Sequence, residues 1–253
     1  MEDPAAHFAE HGYWHARGVF SADHVAALEA DFDRIVAQLE SSGEAIDARW
    51  DGAATDALSR PGDRIVHTHN VQKYSTRWMG ALLDPAFLDV AEALLGPDIV
   101  LHHTKLFQKP AEAGAPFPMH QDWPYFPTLN DTMIAGIIHV SEATDEMGCL
   151  RVWPGSHRLG RLKNANGRGD ALADFPIEKA LPIEAEPGDV VFFHYFTLHG
   201  SMPNRSDRVR KTVLCQLHAG TDAVEPGNAH PDERLALRGW NHRLGRTAAG
   251  ERT

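Results

Sequence analysis

Five short apolar runs in the second part of the chain most constrain what it can fold into. They span 99–108, 132–140, 149–153, 190–193 and 212–217, and are rich in Val, Ile, Leu and Phe. Clusters of Pro, Gly and Asp separate them, as expected of strands joined by tight connections. Before residue 97 the periodicity is different. Ser21 is a good N-cap for a helix over 22–39, with Leu28, Phe32, Ile35 and Leu39 at helical spacing, Val25 and Val36 alongside, and Gly43 as a stop. Asp84 caps a second helix with Pro85 in its first turn, Phe87, Leu88, Ala91, Leu94 and Leu95 inside, and Gly96 at its end. Helices first and many strands later predict a β-sandwich or barrel with a helical flank. The stretch 43–63 is rich in Ala, Gly and Asp and reads as a loop or lid. With no internal repeat and no dividing linker, one domain is expected: a helical flank over about 8–96, a β core over about 97–220 and a C-terminal tail over 221–253.

Composition narrows the function classes. A net charge of −11 argues against general nucleic-acid binding, which needs a broad basic surface. No apolar run approaches the roughly 20 residues that span a bilayer, so no membrane association is expected. The start has neither a basic segment nor an apolar one of secretory type, and the two cysteines, Cys149 and Cys215, sit in apolar runs as buried small hydrophobes. A cytoplasmic location is expected. Sixteen histidines are too many for their count to identify ligands.

The chemistry-bearing residues lie in two segments. In PFPMHQDWPYFP, His120 and Asp122 are two apart, so on a strand end their side chains point the same way. The prolines around them limit regular pairing and make a rigid, aromatic-rich loop. In PGDVVFFHYFTLHGS, either His194 or His199 has the spacing to join them. His199 is favoured because Gly200 and Ser201 follow it and permit close approach. Two imidazoles and a carboxylate on one face of an ion, with open positions opposite, are the ligand set of non-haem Fe(II) oxygenases. Arg210, on the strand that returns after a turn, would suit a dicarboxylate co-substrate, and Ser201 would add a hydroxyl.

Taken in order, MHQDWPYF, GCLRVWPGSH, PGDVVFFHYFTLHGS and the following NRSDRVR resemble the phytanoyl-CoA dioxygenase (PhyH) family of Fe(II)/2-oxoglutarate oxygenases, over about residues 8–220. The resemblance implies a mainly β fold with flanking helices, a double-stranded β-helix of the jelly-roll or cupin-like type. It implies His120, Asp122 and His199 as Fe(II) ligands, with Arg210 and Ser201 holding the distal carboxylate of 2-oxoglutarate. O2 is the further co-substrate, and succinate and CO2 the co-products. Related halogenases lack the carboxylate ligand, so Asp122 argues for hydroxylation or another oxidation.

Gln108 and Lys105, on the strand before the triad, are expected to point inward toward co-substrate or substrate. Trp123, Tyr125 and Phe126 are expected as pocket walls, and Arg151 as a partner for an anionic substrate group. Arg158, Arg161, Lys163 and Arg168 read as either a rim over the site or a solvated loop. The acidic balance favours a small polar metabolite or natural-product intermediate as substrate over an acyl-CoA. Competing readings are a cupin-like isomerase or hydrolase without 2-oxoglutarate, and a non-catalytic metal-binding barrel. The sequence leaves monomer and homodimer equally open.

Overall fold

The computed structural model describes residues 3–168, 172–228, 230 and 232–245. The chain opens with helix α1 (Pro4–His11) and strand β1 (Tyr13–Ala16), then the long helix α2 (Ala22–Ser42). A two-residue strand β2 (Asp47–Ala48) and a short helix α3 (Ala53–Leu58) lead to β3 (Ile65–His69). Helices α4 (Thr76–Leu82) and α5 (Pro85–Leu95) follow. The remaining strands are β4 (Ile99–Lys109), β5 (Phe117–His120), β6 (Ile134–His139), β7 (Leu150–Val152) and β8 (Leu181–Ile183). Then come β9 (Val190–His194), β10 (His199–Ser201), β11 (Arg210–Ala219) and β12 (Leu235–Arg238).

The strands form two antiparallel sheets. The larger runs β1-β9-β6-β11-β4-β3-β2, with β12 also on β4; the smaller runs β5-β10-β7-β8. Facing one another, they make a double-stranded β-helix. Period-2 alternation sorts the long strands, with one interruption at a bulge in β4. On β11, Val213, Cys215 and Leu217 face outward into the core beneath the helices, whereas Arg210, Thr212, Leu214 and Gln216 face the space between the sheets.

The helical flank packs on the outer face of the large sheet. Ser21 Oγ accepts from the His24 N–H at 3.3 Å and starts α2, and Gly43 ends it with φ 76°. Val25, Leu28, Phe32, Ile35, Val36 and Leu39 of this helix are buried against Ile99, Leu101, Leu106 and Val213. Each large side chain removed from water this way contributes roughly 1.5–3 kcal/mol. Asp84 Oδ1 accepts from the Ala86 N–H at 2.9 Å and starts α5, whose Phe87 joins the same core.

Three features differ from the sequence expectation. The flank contributes strands as well as helices, since β1 and β3 join the large sheet beside β9 and β4. The 43–63 stretch contains β2 and α3 and walls the space between the sheets through Ala48, Arg49 and Trp50. The C-terminal stretch is more than a tail, because β12 pairs with the first residues of β4; residues 229, 231 and 246–253 lie outside the described residues. Both cysteines are free and buried. Among the described residues, no helix is long and apolar enough to cross a membrane.

Candidate metal centre

Strands β5 and β10 pair with His120 directly opposite His199. The register then slips before the Ser201–Phe117 pair, and this irregularity turns Phe117 and His120, three residues apart, into the same cavity. Gly200 has to be small here: a Cβ on it would stand 2.8 Å from the Phe117 carbonyl oxygen. Asp122 lies on the loop leaving β5, where its N–H donates to the Tyr195 carbonyl at 2.9 Å. Gln121 holds that loop. Its Nε2 donates to the Gly160 and Phe196 carbonyls at 3.0 and 2.6 Å, and its Oε1 accepts from the Leu162 N–H and Trp123 Nε1–H at 3.0 Å each. Every hydrogen-bonding position of that amide is used.

Asp122 Oδ1 lies 3.4 Å from His120 Nε2 and 3.6 Å from His199 Nε2, and all three side chains are buried. His120 Nδ1 donates to the Pro118 carbonyl at 2.8 Å and His199 Nδ1 to the Thr197 carbonyl at 2.9 Å. A carbonyl can only accept, so each Nδ1 carries the proton and each Nε2 turns a lone pair toward the carboxylate. Gln216 Nε2 donates to Asp122 Oδ2 at 2.7 Å and fixes the carboxylate plane. Burial, reinforced by His120, pushes His199 down to about 4. Burial alone would raise the Asp122 carboxyl, but His199, His120 and Lys105 around it hold it at about 2. At neutral pH His199 is therefore a neutral imidazole and Asp122 a carboxylate. The Trp50 ring packs 4.5 Å from the His120 ring, and Phe193 packs 4.3 Å from His199.

Across the same cavity of about 260 Å3 lie Ser201 and Arg210. Arg210 Nη1 donates to the Gly148 carbonyl, while its Nε is buried with no hydrogen-bond partner. Gly148 is in the left-handed region (φ 68°), and a Cβ there would meet the Met202 carbonyl oxygen at 2.1 Å. Only glycine lets that carbonyl reach Arg210. Lys109 is fully buried and donates to Ser201 Oγ and to the Met202 carbonyl, both at 2.6 Å. Because Ser201 Oγ accepts there, its own proton is free for the cavity. Burial lowers Arg210 to about 10, and burial together with Arg210 pushes Lys109 well below the usual lysine range. Among the described residues, no carboxylate forms an ion pair with either cation. A buried guanidinium without a counter-ion is costly unless an anion is bound beside it.

The structure sorts the remaining expected site residues. Lys105 lines the cavity, as do Tyr125 and Phe126. Gln108 does not. Three residues from Lys105, it has the opposite parity on β4, and Lys105 and Phe107 take the inner face. Trp123 is turned out of the cavity, with Nε1 on Gln121 and the Arg161 guanidinium 5.2 Å over its ring. Arg151 faces away between its cavity-facing neighbour Leu150 and Val152; it makes a bidentate pair with Asp145 at 2.7 and 2.8 Å and donates to the Ile177, Glu178 and Ala180 carbonyls. That is a structural clamp, not a substrate contact. Arg161 pairs with Asp131 and Glu225. His194 is held by the Asp131 carbonyl and the Phe196 N–H.

The sequence reading missed the cavity residues Trp50, His67, His69 and Gln216, and also Lys109, which lies behind Ser201. Parity would have found two of them, since Lys109 follows Lys105 and Phe107, and Gln216 follows Arg210, at even spacing on one strand face.

A double-stranded β-helix carrying two histidines and a carboxylate, with an arginine across the cavity, is an architecture shared by many oxygenases. Residues 8–212 match the model of the Phytanoyl-CoA dioxygenase (PhyH) family, and the chain belongs to that family. It is 29% identical over 222 residues to the peroxisomal phytanoyl-CoA dioxygenase of Mus musculus, covering 82% of this chain and 65% of the mouse protein. It thus spans somewhat less than two thirds of that relative's length. It is 30% identical over 234 residues to a probable alpha-ketoglutarate-dependent hypophosphite dioxygenase of Stutzerimonas stutzeri, covering 85% and 77% of the two chains. Among solved structures, the non-heme alpha-ketoglutarate-dependent epimerase SnoN from nogalamycin biosynthesis superposes with a TM-score of 0.70 at 25% identity, covering 89% of this chain and 85% of that one.

Proposed function

We propose that this chain is a non-haem Fe(II)- and 2-oxoglutarate-dependent dioxygenase that hydroxylates or otherwise oxidises a C–H bond of a small polar substrate. The observation that carries the reading is the pairing, in one cavity, of the His120, Asp122 and His199 cluster with the buried Arg210 guanidinium, which forms no ion pair with a carboxylate among the described residues. The donor set fits the metal: both Nε2 lone pairs are already aimed inward by backbone carbonyls, so binding needs no tautomer change. Bound Fe(II), 2-oxoglutarate and O2 would supply the oxidising power, with succinate and CO2 as co-products.

The chain's own share is positioning. His120, Asp122 and His199 would hold the ion, with Gln216 fixing the carboxylate. Arg210 would take the distal carboxylate of the co-substrate, and Ser201, its hydroxyl oriented by Lys109, would donate a second hydrogen bond. Trp50, Tyr125 and Phe126 would keep water from the reacting carbon. Lys105, Arg49, His67 and His69 leave a polar, basic side for the substrate.

At about 260 Å3 the cavity is near the lower end of ligand pockets, roughly 300–1,000 Å3. That size supports a small metabolite or natural-product intermediate and disfavours the acyl-CoA reading. An isomerase or hydrolase without 2-oxoglutarate would leave Arg210 and Lys109 with no task. Two buried, unbridged cysteines suit a reducing compartment such as the cytoplasm.

The direct test is succinate formation from 2-oxoglutarate with Fe(II) and ascorbate. Slow turnover is expected even without the proper substrate. No succinate, together with no calorimetric binding of 2-oxoglutarate to the metal-loaded protein, would defeat the proposal.

A further inference from the structure

A second histidine cluster lies outside the machinery described so far. Along one edge of β4, β3 pairs with Lys105–Gln108 and β12 with Ile99–Leu101. Between them β4 bulges: Gln216 opposes His103 and Leu217 opposes Leu101, so His102 is the extra residue. Parity shows the consequence. Before the bulge Ile99 and Leu101 face the helical core, and after it Leu106 does. Both His102 and His103 therefore project to the inner side, against the rule that neighbours on a strand alternate.

His230, from the segment before β12, completes the group. Its ring centroid lies 4.3 Å from that of His103 and 5.3 Å from that of His102, and the other two are 4.8 Å apart. One nitrogen from each of the three falls within 4.8 Å of the others. Phe126 covers the group at 5.3–5.5 Å from all three rings. On the cavity side, His69 stands 5.5 Å from His230 and 5.9 Å from His103.

We propose that His102, His103 and His230 form a second transition-metal site, suited to Zn2+, that pins the chain at His230 onto the β4 bulge. Proton accounting supports it. His102 Nδ1 and His103 Nδ1 face each other at 2.5 Å, so one must donate and the other accept. The Nε2 atoms of both rings are then buried with no hydrogen-bond partner. One of those orphans is an N–H that has lost its water for nothing, and such groups ordinarily have a reason. An ion among the rings would relieve this arrangement by taking one lone pair from each neutral ring while the other nitrogen keeps its proton, so the bond between the two Nδ1 atoms gives way on binding, and imidazole suits Zn2+, Ni2+ and Cu2+ alike. Burial, with His230 adding, pushes His102 down to about 3, so the ligand form prevails at physiological pH. The site stands on residues separate from the triad, so its failure and that of the oxygenase reading are independent.

The probe is Zn2+ titrated by calorimetry, with Co2+ as a spectroscopic substitute, into the full chain carrying Asp122→Ala and His199→Ala to disable the first cluster. One Zn2+ per chain is expected. Adding His230→Ala or His103→Gln should each weaken it at least ~100-fold, whereas His24→Ala on α2 should leave it unchanged. Metal-free circular dichroism and thermal unfolding confirm that each variant folds; His230 is only half-buried, so its variant decides the matter if the His103 variant does not fold. No stoichiometric Zn2+, or binding that survives His230→Ala, would mean the rings are merely packed against one another.

Discussion

Replacing Asp122 with alanine is expected to abolish Fe(II)-supported succinate formation and to weaken metal binding by at least ~100-fold. The side chain is the only anion in the cluster, and its Oδ1 is the point on which both Nε2 atoms converge. Without it, two neutral imidazoles face a divalent ion with no charge compensation. Gln216 Nε2 also loses its acceptor and becomes a buried, unpaired donor, at a cost of about 1–3 kcal/mol. Asp122→Asn separates the two effects. An asparagine oxygen can still accept from Gln216 and preserves volume, so stability should recover while metal binding stays poor. Full turnover in either variant would remove Asp122 from the ligand set.

Arg210→Ala is expected to raise the 2-oxoglutarate concentration for half-maximal turnover by about 100-fold, since losing a buried charged contact costs roughly 2–5 kcal/mol. Fe(II) affinity should stay within about threefold, an effect well under 1 kcal/mol. Among the described residues the guanidinium makes no hydrogen bond or ion pair with the three triad side chains; its hydrogen bond goes to Gly148. Arg210→Lys keeps the charge but loses the planar fork that meets a carboxylate with two parallel bonds, so an intermediate value is expected. Loss of iron in step with loss of 2-oxoglutarate would show that Arg210 shapes the metal site instead. A variant with unchanged 2-oxoglutarate dependence would leave the buried guanidinium without the counter-ion assigned to it.

Much of this architecture is legible in the residues themselves, and the gaps have physical causes. The long strands β4, β6, β9 and β11 announce themselves because one face is buried under helices and the other lines the barrel, so apolar residues recur densely. The strands that carry the histidines are three and four residues long and bulged. Too short for periodicity, they are visible only through the residue types at 120, 122 and 199. The pairing of Gln108 with Lys105 as inward residues fails on parity alone, and the same rule would have substituted Lys109. Trp123 and Arg151 illustrate a different limit. Both sit beside cavity residues in sequence, but tertiary partners, Gln121 and Arg161 for one and Asp145 for the other, decide which way they face. Trp50 comes from a stretch with no apolar pattern, so nothing local announces that its ring lies against His120.

The contact between Lys109 and Ser201 sets the polarity of one end of the cavity. With a lone pair of the hydroxyl already taken by the Lys109 Nζ donor, Ser201 offers the cavity a proton, and the guanidinium beside it can never offer anything else. A ligand terminus that must itself donate, such as the amide of a monoamide analogue of 2-oxoglutarate, meets donor against donor despite having nearly the same size and shape. Discrimination at this end is therefore by the direction of hydrogen bonding, a criterion that separates isosteres by orders of magnitude where a pocket wall separates them only weakly.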